Sequence, residues 1–60
     1  MTPVAMWQRF MWRGQEVVVI QQWTDPFGSA MLRVADPADE AVAAGMSVDA
    51  FLAEALPLVA

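Results

Sequence analysis

Neither cysteine nor histidine occurs in the sixty residues of this chain, and that absence limits what can hold it folded. A domain so short hides a smaller fraction of its surface than a larger one, and its usual supports are disulfides, a structural metal or association with another chain. The first two need residues that are missing, so no metal site and no cofactor is expected. The chain must fold on apolar burial or on a partner. Hydrophobic residues make up 58% of it, with three Trp, three Phe and five Met. That is enough for a core and too much for a disordered tail. A single small domain spanning 1–60 is expected, with some large apolar side chains left over for its surface.

The strongest local signal is Glu16 to Trp23, EVVVIQQW, whose β-branched run reads as a strand. Val4 to Trp12 alternates imperfectly before it, and Arg13-Gly14-Gln15 makes a short break, so the two segments read as a hairpin. Thr24 to Gly28, TDPFG, gathers Asp, Pro and Gly and marks a second reversal. Ser29 to Ala35 then alternates Ala30, Leu32 and Val34 against Met31 and Arg33. The pattern changes at Asp36, which suits an N-cap ahead of Pro37, while Gly45 suits a helix stop. Ser47 caps a second helix, with Val48, Phe51, Leu52, Ala55 and Leu56 on one face and Pro57 at its end. The expected fold class is therefore α+β. Its three-stranded antiparallel sheet would cover about 4–12, 16–23 and 29–35, followed by two short helices at about 37–44 and 48–56. The alternative is a small SH3-like barrel in which Val42 to Phe51 supplies further strand in place of the helices.

Charge is unevenly placed. Arg9, Arg13 and Arg33 against Glu16 and Asp25 give +1 before Asp36, and Asp36, Asp39, Glu40, Asp49 and Glu54 give −5 after it, for the net −4 of the chain. The 22 residues from Asp36 to Pro57 hold those five carboxylates and no basic side chain, although helix C-termini favour cations. Such an asymmetry speaks to partners rather than to fold. No basic opening leads into a long apolar run, so neither a signal peptide nor a membrane span is expected and the chain reads as cytoplasmic.

Catalytic residues are not expected. Nucleophilic catalysis needs a base beside the nucleophile, metal sites need clustered ligands, and the glycines at 14, 28 and 45 are too isolated for a phosphate loop. Trp7, Trp12 and Trp23 with Arg9 and Arg13 could stack on single-stranded nucleic acid, but a chain of pI about 4.1 is poorly suited to neutralising phosphates. Core packing or anchoring at a protein interface suits these Trp residues better.

MLRVADPADEAVAAGMSVDAFLAEAL resembles the ribbon-helix-helix antitoxins and repressors, through Leu32 and Val34 in a strand, Gly45, Met46 and Ser47 at a turn, and Phe51, Leu52, Ala55 and Leu56 in a helix. That resemblance implies a DNA-binding dimer reading through its Met31 and Arg33 face. At the level of class, a short, acidic, Cys-free chain is similar to small phage-encoded inhibitors of host defence, including anti-CRISPR proteins that mimic DNA. This second likeness implies a non-enzymatic inhibitor docking on a basic, nucleic-acid-binding protein surface, without binding nucleic acid itself. Asp36, Asp39, Glu40, Asp49 and Glu54 would supply the charge, and Trp7, Trp12 or Trp23 an anchor. A small structural or assembly subunit that buries its surplus apolar residues against copies of itself is the third reading.

Overall fold

The computed structural model describes residues 4–58. Its elements are β1 (Arg9–Trp12), β2 (Gln15–Thr24), β3 (Ala30–Asp36), β4 (Asp39–Ser47), α1 (Val48–Leu52) and β5 (Leu56–Pro57). All strands pair antiparallel in one sheet of order β4-β3-β2-β1-β5. A four-stranded meander is followed by one helical turn, and the last strand returns to pair with the first. This corrects the expectation of three strands and two helices, and it also differs from the SH3-like alternative, since the strand over Val42 to Phe51 ends at Ser47 and Val48 to Leu52 is helical. Among the described residues no helix is long and apolar enough to cross a membrane.

The corrections have local causes. The first strand starts at Arg9 instead of near Val4, because Ala5 to Gln8 forms a turn and Trp7 takes a positive φ of 66°. Pairing still extends past the strand, since the Trp7 N–H donates to the Val19 carbonyl and the Val19 N–H to the Gln8 carbonyl. The segment expected as a helix over 37–44 is a turn and most of β4. Asp36 does accept a backbone N–H two residues on, from Ala38 at 2.8 Å, but that bond closes a turn at Pro37-Ala38. Asp39 accepts likewise from Ala41. Two helical turns of Ala-rich chain are marginal by themselves, and pairing along β3 wins over their intrinsic preference. The second helix stops at Leu52 rather than 56, with Ala53 as its C-cap.

Turn chemistry fixes the first hairpin. Arg13 and Gly14, between the paired Trp12 and Gln15, have φ of 50° and 80°, the two positive values a tight two-residue connection needs to match the strand twist. The β2–β3 turn is tied by Asp25, whose Oδ1 accepts from the N–H groups of Phe27 and Ser29.

The core lies between one face of the sheet and α1. Val4, Phe10, Trp12, Val17, Val19, Leu32, Val34, Val48, Phe51 and Ala55 are buried together. Phe51 is the anchor of α1, edge-on to Phe10 at 5.0 Å between ring centroids and tilted against Trp12 at 6.2 Å. Fully burying such a side chain contributes about 1.5–3 kcal/mol. Val48 and Phe51 of the expected helical stripe are buried, with Ala55 just beyond α1. Leu52, the last residue of α1, is exposed, and so is Leu56, which lies in β5 instead of on a helix.

An irregularity in β2 decides which residues reach the surface. Val19 pairs with Val34 and Gln21 with Arg33, so Ile20 is an extra residue, a β-bulge. Without it strict alternation would send Gln21 and Trp23 inward after Val17 and Val19. With it, Gln22 turns to the core side, opposite Leu32, and its Nε2 donates to the Val4 carbonyl at 3.0 Å. Gln21 and Trp23 go to the outer face.

Candidate functional site

The antiparallel meander puts its connections at two opposite ends. At one end lie the β1–β2 turn, with Arg13, and the β3–β4 turn, with Asp36, Asp39 and Glu40. At the other lie the β2–β3 turn, with Asp25 and Phe27, and the start of α1, with Asp49. The five carboxylates expected on two helices are therefore divided. Asp36 and Asp39 face each other across the β3–β4 turn, and Glu40 follows them on exposed β4. Asp49 stands in the first turn of α1 at the far end. Glu54, beyond α1, is neutralised by Arg13 through a 3.2 Å ion pair.

The charge balance changes with that pairing. Arg9 pairs with Glu16 at 2.7 Å on the outer face, and both this pair and Arg13–Glu54 are exposed, so each stabilises the fold by at most about 1 kcal/mol. Their effect is to cancel two of the negative charges locally. Asp36, Asp39, Glu40, Asp25 and Asp49 make no ion pair among the described residues, and neither does Arg33. The local hydrogen bonds to Ala38 and Ala41 hold the Asp36 and Asp39 carboxylates against their own turn. The concentrated negative charge is thus the β3–β4 turn.

The three Trp residues separate. Trp12 is in the core, with the Arg13 guanidinium over its ring at 4.6 Å and its Nε1 buried without a partner. Trp23 is half-exposed on the outer face, where its indole reaches across β3 toward Gly45 on β4. Trp7 is 64% exposed on the turn ahead of β1. Trp7 and Trp23 can anchor a partner; Trp12 cannot without unpacking the core. Arg9 and Arg33 share the outer face with Met11, Trp23 and Met31, whereas Arg13 does not.

Sequence reasoning passed over Phe27. It stands 93% exposed on the turn clamped by Asp25. The signal was present in TDPFG, where an aromatic sits inside a turn whose other residues all have conformational reasons to be there. Below it, Gly28 and Ser29 of that turn and Ser47, Val48 and Asp49 at the start of α1 line an open groove of about 500 Å³. A smaller cavity of about 70 Å³ lies at the acidic end, lined by Trp12, Gln15, Asp36 and Val42 among others. Among the described residues no three of His, Cys, Asp and Glu come together as a metal-ligand set.

Comparison with family models, with curated proteins and with solved structures found no match.

Proposed function

We propose that this chain is a non-enzymatic protein-binding module whose acidic β3–β4 turn docks on a basic surface of a partner, of the kind that ordinarily holds nucleic acid. The observation that carries the reading is the division of the carboxylates. Glu16 and Glu54 are paired with Arg9 and Arg13, while Asp36, Asp39 and Glu40 stand together on one turn without a counter-charge among the described residues. Carboxylates fixed on a short turn can take the place of phosphates in a basic groove, and their field speeds the encounter. Trp7 and Trp23 are exposed as well, but they lie away from the β3–β4 turn, and the docking proposed here does not depend on them.

The test removes charge while keeping the turn. Asp36→Asn, Asp39→Asn and Glu40→Gln together retain side-chain oxygens able to accept from Ala38 and Ala41. The assay is displacement of a fluorescent duplex oligonucleotide from a panel of basic nucleic-acid-binding proteins. The native chain should displace DNA from at least one of them, more weakly as salt rises, and the neutral triple variant should be at least about tenfold weaker. Equal displacement by the neutral variant, or none by the native chain, would overturn the reading.

A further inference from the structure

We infer that the free edge of β4 pairs antiparallel with β4 of a second copy of this chain, joining the two five-stranded sheets edge to edge about a two-fold axis. β4 is the outermost strand on its side, nine residues long, and among the described residues nothing pairs with its far edge. Alternate residues of such a strand turn their N–H and C=O groups outward, a template for another strand. The opposite edge, β5, has only two residues.

Edge strands are ordinarily protected by Lys, Pro, an inward charge or a bulge. From Ala41 to Ser47 the sequence AVAAGMS has no charge and no proline, and the one register shift against β3 lies back at the turn, between Ala35 and Asp36. The side chains are mostly small and leave the edge open to approach. Val42, in the middle of the strand, is 55% exposed.

Charge and side-chain size select the occupant. A foreign strand is recognised through pockets that take its alternate side chains, and a surface of Ala, Gly and Ser offers few. A second β4 is self-complementary. Both charges of the strand, Asp39 and Glu40, are at its first two positions. Parallel pairing would stack them about 4.8 Å from their copies. Antiparallel pairing about Val42 or Ala43 separates the two Asp39 residues by roughly 20–27 Å along the strand, at about 3.4 Å per residue. By the same count the two Glu40 residues are roughly 14–20 Å apart. All these separations exceed the Debye length of about 8 Å at physiological salt, so repulsion between the acidic turns is largely screened. The acidic turns stay free for the partner proposed above, and the two proposals fail independently.

A chain without cysteine gives a clean background for cross-linking. Single variants Ala41→Cys, Val42→Cys, Ala43→Cys and Ala44→Cys are oxidised mildly, with Trp emission checking that each is folded. Only the residue on the two-fold axis meets its own copy within the Cβ separation of about 3.5–4.5 Å that a disulfide needs. Cross-linking should therefore peak at one position and fall on both sides. Sedimentation equilibrium of the native chain from about 10 µM to 1 mM should show a monomer–dimer equilibrium, and Val42→Lys should raise its dissociation constant at least about tenfold. A monomer throughout that range, equal cross-linking at all four positions, or a dimer indifferent to Val42→Lys would each overturn the assignment.

Discussion

Replacing Gly45 by alanine separates the two conformations open to the acidic segment by the sign of its effect. If residues 37–44 were helical, Gly45 would be the stop, in the left-handed region where a Cβ is strained. In the sheet it pairs with Arg33, and its φ is outside that region, unlike those of Gly14 and Gly28. An added Cβ would meet the Leu32 carbonyl and the Trp23 Cη2 at 3.8 Å each, ordinary contact distances. Alanine therefore fits, and narrowing the unfolded ensemble should stabilise the protein by about 0.4–1 kcal/mol. Contact of the new methyl with the indole adds a fraction of the roughly 0.8 kcal/mol of a fully buried carbon. With a urea slope near 1 kcal/mol/M for so small a chain, the unfolding midpoint followed by Trp emission should rise by about 0.5–1 M. The melting temperature should rise by about 2–8 °C. A destabilisation of about 1 kcal/mol would refute the strand and restore the helix stop.

Three further substitutions probe the fold. Phe51→Ala removes the ring between Phe10 and Trp12 at a cost of about 3–5 kcal/mol, against a total near 3–9 kcal/mol for sixty residues, so near-UV circular dichroism should be largely lost while Phe51→Leu keeps it. Gly14→Ala meets nothing within 4 Å yet sits at φ +80°, so its cost of about 1 kcal/mol is purely conformational and should appear as a lower urea midpoint with an unchanged slope. Ser47 accepts the Ala50 N–H at 3.1 Å as the cap of α1, and Ser47→Ala should cost about 0.5–2 kcal/mol in urea unfolding and speed amide exchange at Ala50.

The first three strands were legible because their signals are local and point one way. β-branched residues fill β2, alternation marks Leu32 and Val34 on β3, and Gly14 and the Asp25 turn punctuate them. The acidic segment was not legible, for an equally local reason. An Asp accepting the N–H two residues on begins a helix cap and a β-turn alike, and Asp36 does so here without a helix after it. What decides between them is β3, whose edge is open to pairing with the chain that returns after the turn, a contact that no pattern within residues 37–44 signals. Alanine-rich composition then argued for the losing side.

The functional surface shows the same division. The count of carboxylates could be read from the chain, but not which of them remain uncompensated, because Arg13 finds Glu54 forty-one positions away. Nor could the sides of the Trp residues be read, since one extra residue at Ile20 reverses everything after it and moves Trp23 from core to surface. Both effects narrow the surface in one direction. Pairing removes Glu54, the fold carries Asp49 to the far end, and packing withdraws Trp12, leaving Asp36, Asp39 and Glu40 at one turn with Trp7 and Trp23 elsewhere on the exterior. A partner whose affinity depended on the whole −5 segment would have to contact both ends of the molecule, whose longest dimension is 31 Å. A partner that reads only the β3–β4 turn needs no such reach, and single neutralisation of Asp49 should then leave its affinity unchanged while neutralisation at Asp36 or Glu40 weakens it.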